Sequence, residues 1–317
     1  MTPTPLVDDI HSAEVLDRWS RIASPSSSLE FRILMLARSS PTPEGWDTDD
    51  FESRRTTYRE QLEAFLSAAD ACGMLSGHEA KDLIARLRSP EDSNFRSARS
   101  ECLAAWFLGN RLRLQLQPRP PGRGGPLELV IQDPRGPIHV EVKAPCREPV
   151  VHTLGEVIAG RATATKFDDT DIIAECVRKA RKQFEANTAN LVFMVSDLTL
   201  PGFNHRRFLV EALYGAEKWH LTEHSESLER TIEPTGFFLS HLEKGTQPEY
   251  TRVSAVLYLE ESHNVGAGAF DVNVLLVHNP FAAVPLPDDI WADIAQLKLV
   301  GEALVWSDGF PEKPGPC

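Results

Sequence analysis

Residues 126–143 have the sequence PLELVIQDPRGPIHVEVK, which decides the fold of the surrounding chain. At its centre, Asp133-Pro134-Arg135-Gly136 combines three residues with strong turn preferences. The apolar-rich runs on either side therefore predict two antiparallel strands joined by a tight turn. Pairing the first turn residue with the last sets the register, which places Glu128 opposite Glu141.

Two carboxylates thus face each other across the predicted hairpin. Directly opposed side chains have Cβ atoms about 5 Å apart, and two carboxylates at that distance repel by roughly 3 kcal/mol at an effective dielectric constant of about 20. The strand alternation puts His139 and Lys143 on the same face as Glu141. This charge pattern favours a bound cation, although a solvated His/Glu/Lys face is also typical of ordinary amphipathic strands. The register also predicts that Pro126 lies opposite Lys143.

The composition is that of a globular protein. The chain has 317 residues, of which 42% are hydrophobic, enough for one large domain or two smaller ones. The longest uncharged stretch, residues 272–287, is too short to cross a membrane, and the acidic start MTPTPLVDDIHS is unlike a signal peptide. We therefore expect a cytoplasmic protein without a membrane span. The five cysteines are scattered without C-x-x-C spacing, which favours reduced thiols over a zinc knuckle.

The net charge of -13 is unevenly distributed along the chain. Residues 94–187 hold 15 Lys/Arg and 11 Asp/Glu, whereas both flanking segments are acidic. A basic middle third is compatible with a local surface that binds a polyanion such as nucleic acid. Ordinary fluctuation of surface charge explains the same numbers.

The hydrophobic periodicity predicts a helical N-terminal region, residues 1–92, followed by an α/β domain over residues 93–317. Within that domain we distinguish a core, residues 94–196, from a C-terminal sheet extension, residues 197–317. Helices are expected at 13–22, 51–71, 77–87, 94–108, 171–186 and 206–213. Strands outside the hairpin are expected at 191–195, 253–259 and 272–277, the last two as neighbours. The fold class is therefore α/β, with a central mixed sheet flanked by helices. The N-terminal region either packs on this body or binds a partner protein.

Two helices carry polar residues on otherwise apolar faces. Glu101 shares its stripe with Ala98 and Ala105, so its carboxylate faces either a functional site or an arginine such as Arg99 or Arg111.

Gln183 shares a helix face with Cys176 and Lys179, and it either reaches a site or borders the core.

Taken together, SECLAAWFL (100–108), the hairpin, RKARKQF (178–184) and LVFMV (191–195) resemble the PD-(D/E)XK nuclease superfamily. The core of that superfamily is a helix, a three-strand meander, a second helix and a further strand, and the resemblance covers residues 94–196. One position departs from the pattern, because the family usually has Asp on the second strand where this chain has Glu128. The resemblance implies a restriction-endonuclease-like core.

The resemblance also implies a metal site for Mg²⁺ or Mn²⁺. Glu128 and Glu141 would supply hard oxygen ligands. Glu101 would bind the metal directly, through water or at a second site, and the carbonyl oxygen of Val142 would be a further ligand.

The implied reaction is hydrolysis of DNA phosphodiester bonds. Lys143 would orient or help to deprotonate the attacking water and stabilise developing negative charge, and Gln183 would hydrogen-bond water or a phosphate. His139 would be a neighbour of the site, not a base. Phosphates could be held by two basic clusters: Arg111, Arg113, Arg119 and Arg123 before the hairpin, and Arg178, Lys179, Arg181 and Lys182 on the following helix.

Two other interpretations remain open at this stage. The chain could keep the nuclease fold as an inactive module that binds nucleic acid or a protein partner, which the Glu128 departure and the acidic flanks favour. It could also be an unrelated α/β protein whose hairpin matches the motif by chance.

Overall fold

The computed structural model describes residues 5–23, 25–38, 41–76, 80–118, 121–122, 125–145, 169–196, 205–221, 228–246, 248, 250–262, 271–301 and 303–307. The described chain is a mixed α/β fold in which helices flank an eight-stranded mixed sheet. None of the described helices combines the length and apolar character needed to cross a membrane.

Six of the nine described α-helices lie close to the predicted positions, whereas α1, α3 and α9 were not predicted. The bounds of all nine are α1 Leu6–Ile10, α2 Ala13–Ser20, α3 Ser27–Leu36, α4 Thr48–Ala71, α5 Ala80–Leu87, α6 Asp92–Trp106, α7 Asp169–Ala180, α8 His205–Leu213 and α9 Ser240–Lys244. A π-helical turn, Phe107–Arg111, continues α6, and a 3₁₀ turn, Asp289–Trp291, lies near the end of the chain. Helix α7 ends before the predicted residue 186, because the chain continues as tight turns through Gln183.

Eight strands form the main sheet in the order β1-β4-β5-β6-β9-β10-β11-β12. The strand bounds are β1 Leu116–Pro118, β2 Pro121–Gly122, β3 Gly125–Pro126, β4 Leu129–Ile131, β5 Ile138–Lys143, β6 Ala189–Ser196, β7 Glu217–Leu221, β8 Leu228–Ile232, β9 Ala255–Ser262, β10 Asp271–His278, β11 Ala295–Val300 and β12 Ala303–Trp306. The pairs β5–β6, β6–β9 and β10–β11 are parallel, and the other pairs in the sheet are antiparallel. Two small hairpins, β2–β3 and β7–β8, stand apart from it. The predicted pairing of β9 with β10 is confirmed.

The predicted hairpin register is confirmed across β4 and β5. Val130 pairs with His139 and Leu129 with Val140, and the turn closes with the Gly136 amide donating to the Asp133 carbonyl. The expected pairing of Pro126 with Lys143 is wrong. The chain bends at Glu128, and Pro126 belongs to β3, where it pairs with Pro121 of β2.

Each face of the sheet has its own hydrophobic core. The α6-side core joins helices α1–α6 to one face and includes Trp19, Leu66, Leu103, Val140, Leu191 and Phe193. The α7-side core joins α7 and α8 to the other face and includes Ile173, Val177, Val192, Met194, Leu213 and Phe238. The helices of the predicted N-terminal region thus share a core with the sheet, so this region packs on the rest of the chain. Its binding of a partner stays a prediction.

Candidate active site

A group of charged side chains lies where β5 ends. Glu141 and Lys143 are paired in register with Val192 and Met194 of β6, both of which belong to the α7-side core. Cross-strand partners share a face of the sheet, so the two charged residues point towards α7. Val142 alternates to the other face and packs in the α6-side core.

Lys143 and Glu141 form a partly buried ion pair. The Lys143 Nζ donates to the Glu141 Oε1 at 2.5 Å, and the side chains are 22% and 2% exposed. The second oxygen of Glu141, Oε2, is buried and accepts no hydrogen bond from any described residue. A buried carboxylate oxygen without a donor is costly, so this atom is a position where a cation or a proton would be stabilised.

Glu128 completes the group from the neighbouring strand. At the bend before β4, its Oε2 accepts a hydrogen bond from the Val142 amide at 3.3 Å. Burial raises the pKa of Glu128 well above its usual range, and the nearby Glu141 carboxyl raises this pKa further, whereas Lys143 opposes the rise. The sequence-derived proximity of Glu128 and Glu141 is therefore present in the structure.

The charges in this group do not balance. Burial opposes the positive charge on Lys143, but Glu141 and Glu128 outweigh it, so the pKa of Lys143 is raised and its ammonium is retained near neutral pH. Two carboxyl groups then share one ammonium. Ionising both carboxyls leaves one negative charge in excess, which a proton or a metal ion could neutralise.

Glu101 has a different environment. It is buried on α6, on the opposite side of the sheet from the Glu141 side chain, and accepts two hydrogen bonds from Arg86 of α5 at 2.5 and 3.0 Å. The pKa of Arg86 is raised because Glu101 and Asp82 outweigh the opposing effect of burial. An arginine partner for Glu101 was predicted, with Arg99 and Arg111 as examples, and Arg86 is an arginine that the prediction did not include. Arg99 pairs with Glu261 of β9.

The structure places the other predicted site residues as follows. The Val142 amide donates to Glu128, and the ligand role of the Val142 carbonyl stays a prediction. Gln183 lies just after α7, and its buried Oε1 accepts no hydrogen bond from the described residues.

His139 contacts Thr188 at 3.4 Å, and burial lowers the pKa of His139 despite the opposing charge of Glu185. The place of His139 as a neighbour of the site stays a prediction.

The two predicted basic clusters lie only partly within the described residues. Arg111 and Arg113 are exposed, and Arg119 and Arg123 lie outside the described residues. On α7, Glu175 forms ion pairs with Arg178 and with Lys179. Burial raises the pKa of the Cys176 thiol on α7, and the charges of Lys143 and Lys179 oppose this rise.

The Glu128–Glu141 pair can be tested for its fit to a divalent metal. Mg²⁺ commonly takes one or two protein carboxylates and completes its shell with water and substrate phosphate oxygens. Two adjacent carboxyls, one carrying an unpartnered buried oxygen, satisfy that requirement. Within the described part of the chain, no set of three or more His, Cys, Asp or Glu side chains is placed to hold a metal. The pair therefore fits a metal that takes most of its ligands from water and substrate.

Comparisons of the chain with models of protein families, with curated proteins and with solved structures found no match. Function is therefore argued from the geometry of the Glu128–Glu141–Lys143 group.

Proposed function

We propose that the protein is a metal-dependent nuclease that hydrolyses phosphodiester bonds in DNA. The observation that carries the proposal is the adjacent pair of carboxyls, buried Glu141 and half-buried Glu128, beside the ammonium of Lys143 at the end of one hairpin. Clusters of strongly perturbed titratable groups are typical of catalytic sites, because stability alone gives no reason to bury repelling charges.

The order of elements around the hairpin supports a restriction-endonuclease-like core. Helix α6 is followed by the antiparallel strands β1, β4 and β5, then by helix α7 and by β6, which is parallel to β5. The two helices pack on opposite faces of the sheet. Apart from the small hairpin β2–β3, which lies between β1 and β4, this order agrees with the one that the resemblance to PD-(D/E)XK nucleases implies. Glu141 and Lys143 lie on β5, and Glu128 lies at the bend before β4.

Each residue of the proposed site would have its own role in phosphodiester hydrolysis. Glu128 and Glu141 would hold Mg²⁺ or Mn²⁺, which would lower the pKa of a bound water and offset charge on the phosphate. Lys143 holds one oxygen of Glu141 and keeps its positive charge beside the pair, where it can stabilise negative charge on an attacking water or on phosphate oxygens. The amide oxygen of Gln183, which accepts no hydrogen bond from the described part of the chain, can accept one from water.

Cleavage of DNA tests the proposal. Purified protein is incubated with linear, circular and single-stranded DNA in Mg²⁺, Mn²⁺ or EDTA, beside Glu141→Ala, Lys143→Ala and a control, Lys81→Ala. Lys81 is exposed on α5, so its loss should leave cleavage unchanged. We expect metal-dependent cleavage that falls at least about 100-fold in both site variants, as for loss of a group that stabilises transition-state charge. Cleavage that persists unchanged in both would eliminate the site.

A non-catalytic binding module is the second candidate. The bidentate Arg86–Glu101 pair favours it, because Glu101 already has a positive partner and does not need a metal. In this case the protein would cleave none of the substrates, yet Mn²⁺ would still raise its unfolding temperature, and Glu128→Ala would abolish that rise.

A further inference from the structure

Two exposed aromatic rings pack against the first half of α4. The Trp46 ring, 44% exposed, meets the Phe51 ring edge-on, with ring centroids 6.0 Å apart. The Phe31 ring of α3, 45% exposed, meets the Tyr58 ring in the same way at 5.9 Å. Phe51 and Tyr58 are seven residues apart, which separates these two contacts by about 10 Å along the helix. Of the large hydrophobic side chains that are exposed in the described chain, only these two are aromatic.

An exposed arginine, Arg54, lies between the two rings. Its guanidinium lies over the Trp46 ring, 5.3 Å from the centroid, and Tyr58 follows one turn later on the same face of α4. Arg54 forms no ion pair with any residue that the structure describes, although Asp50 precedes it by one turn. Because the stacked guanidinium is already held in place, less entropy is lost when it binds a carboxylate.

The charges near these rings indicate the class of partner that fits them. One guanidinium can bind one carboxylate through two hydrogen bonds. Exposed Asp49 and Asp50, in the first turn of α4, would repel the successive phosphates of a nucleic-acid strand but would attract a basic side chain. Trp, Tyr and Arg are also the residue types most enriched at the hot spots of protein interfaces. A protein segment of mixed charge therefore fits better than nucleic acid.

We propose that Phe31, Trp46 and Arg54 form a docking surface for a short segment of a partner protein. This segment has an acidic residue between two apolar residues that are about 10 Å apart, and a basic residue at the Trp46 end. Its apolar side chains pack on the two exposed rings, its carboxylate pairs with Arg54, and its basic side chain pairs with Asp49 or Asp50.

Selection of binding peptides tests the docking surface without knowledge of the natural partner. A library of random linear peptides displayed on phage is screened against the full-length protein, and the dissociation constants of the enriched peptides are measured by fluorescence anisotropy. We expect these peptides to share an acidic residue flanked by apolar residues. Trp46→Ser and Arg54→Gln should each weaken their binding at least about 10-fold, as for loss of an interface hot spot.

An exchange of charge tests the contact at Arg54 itself. Arg54→Glu should not bind the selected peptides. Replacement of the acidic residue of a peptide by lysine should restore binding to Arg54→Glu and abolish binding to the unchanged protein. Damage to the fold of α4 would not be repaired by a change in the peptide, so this rescue separates a direct contact from a structural effect.

Two exposed positions on other helices provide matched controls. Leu242→Ser removes an apolar side chain that is 51% exposed on α9, and Arg178→Gln removes an exposed arginine from α7. Both variants should bind the peptides as tightly as the unchanged protein. Thermal unfolding checks the fold of Trp46→Ser, which loses the contact with Phe51, whereas Arg54→Gln keeps that contact.

Several outcomes would overturn the inference. One is a screen without enriched peptides, and another is a set of peptides that bind Trp46→Ser and Arg54→Gln as tightly as the unchanged protein. Single-stranded DNA whose binding is lost in Arg54→Gln would identify a nucleic-acid strand as the occupant instead. A dimer in sedimentation velocity that is lost in Trp46→Ser would identify a second copy of the chain.

The docking surface is independent of the proposed nuclease site. Helices α3 and α4 belong to the α6-side core, whereas the Glu141 and Lys143 side chains point towards α7. DNA cleavage by Trp46→Ser and Arg54→Gln should therefore equal that of the unchanged protein. Failure of the peptide experiment would leave the nuclease proposal to be decided by the cleavage assay with Glu141→Ala.

Discussion

Two acidic sites lie on opposite faces of the same sheet, and they differ in how their carboxyl oxygens are hydrogen-bonded. On the α6 side, both oxygens of Glu101 accept hydrogen bonds from Arg86, whose guanidinium also pairs with the exposed Asp82 at 2.9 Å. On the α7 side, Glu128 and Glu141 share Lys143, and one oxygen of Glu141 has no donor among the described residues. Burial of an acid therefore does not by itself indicate a functional site. Our proposal rests instead on a buried carboxyl oxygen that lies beside a second carboxyl and has no donor among the described residues, because a ligand or a proton would stabilise it.

The largest expected effect comes from breaking the Arg86–Glu101 pair. Arg86→Met leaves Glu101 buried without its counter-charge, which typically costs about 3–5 kcal/mol. We expect the free energy of unfolding, measured with urea, to fall by that amount. The matched control is Arg178→Met, which breaks an exposed pair with Glu175 and should cost less than about 1 kcal/mol. Equal small losses in both variants would contradict a structural role for the Arg86–Glu101 pair.

The next effect separates the two sites by metal binding. Mn²⁺ at 100 times its dissociation constant should stabilise the folded protein by about 2.7 kcal/mol if it binds only the folded state. Thermal unfolding with and without Mn²⁺ should show this gain in the unchanged protein and in Glu101→Gln. Glu141→Gln should lose it. A gain that survives in Glu141→Gln and disappears in Glu101→Gln would reverse the assignment of the two sites.

A smaller effect is expected in the pH dependence of the free energy of unfolding when no metal is present. The folded protein holds the Glu128 proton more tightly than the unfolded chain, because the pKa of Glu128 is raised by burial and by Glu141. The resulting stability is present at low pH and is lost as the pH rises through the raised pKa, with a slope of at most about 1.4 kcal/mol per pH unit.

Glu128→Gln removes this titration. Urea unfolding in EDTA at a series of pH values from 4.5 upwards should show the unchanged protein losing stability relative to Glu128→Gln as the pH rises. A stability difference that is constant with pH, or that changes in the opposite direction, would show that Glu128 does not carry an elevated pKa.

The smallest expected change in stability is at Gln183. Its buried Oε1 accepts no hydrogen bond from the described residues, so Gln183→Met should alter the free energy of unfolding by less than about 1 kcal/mol while reducing DNA cleavage. Asn190 is the matched control, because its buried side-chain amide donates three backbone hydrogen bonds. Asn190→Leu should be clearly destabilising. A comparable loss of stability at Gln183 would point to a structural role there.

The sequence contained most of the information for the hairpin and its charged face. Turn chemistry is local, so Asp133-Pro134-Arg135-Gly136 was enough to set the register that β4 and β5 adopt. Strand alternation then placed Glu141 and Lys143 on one face. The bend at Glu128, which diverts Pro126 into a separate small hairpin, had no comparable local signal.

The partner of Glu101 could not be predicted in the same way. Helical periodicity showed that Glu101 is on a buried face, but it cannot show which neighbouring helix packs against that face. Arg86 lies on α5, and only the packing of α5 on α6 brings the two side chains together. Strand β11 and the edge strand β12 were also not predicted, because strand formation depends on pairing with neighbouring strands that local sequence does not reveal.

Anomalous X-ray scattering from crystals grown with Mn²⁺ tests the central claim most directly, because it locates the metal without assuming any activity. Our account predicts a manganese peak that contacts the carboxyl oxygens of both Glu128 and Glu141, with Arg86 still bonded to Glu101. A peak at Glu101, or no peak beside Glu141 at saturating Mn²⁺, would contradict it.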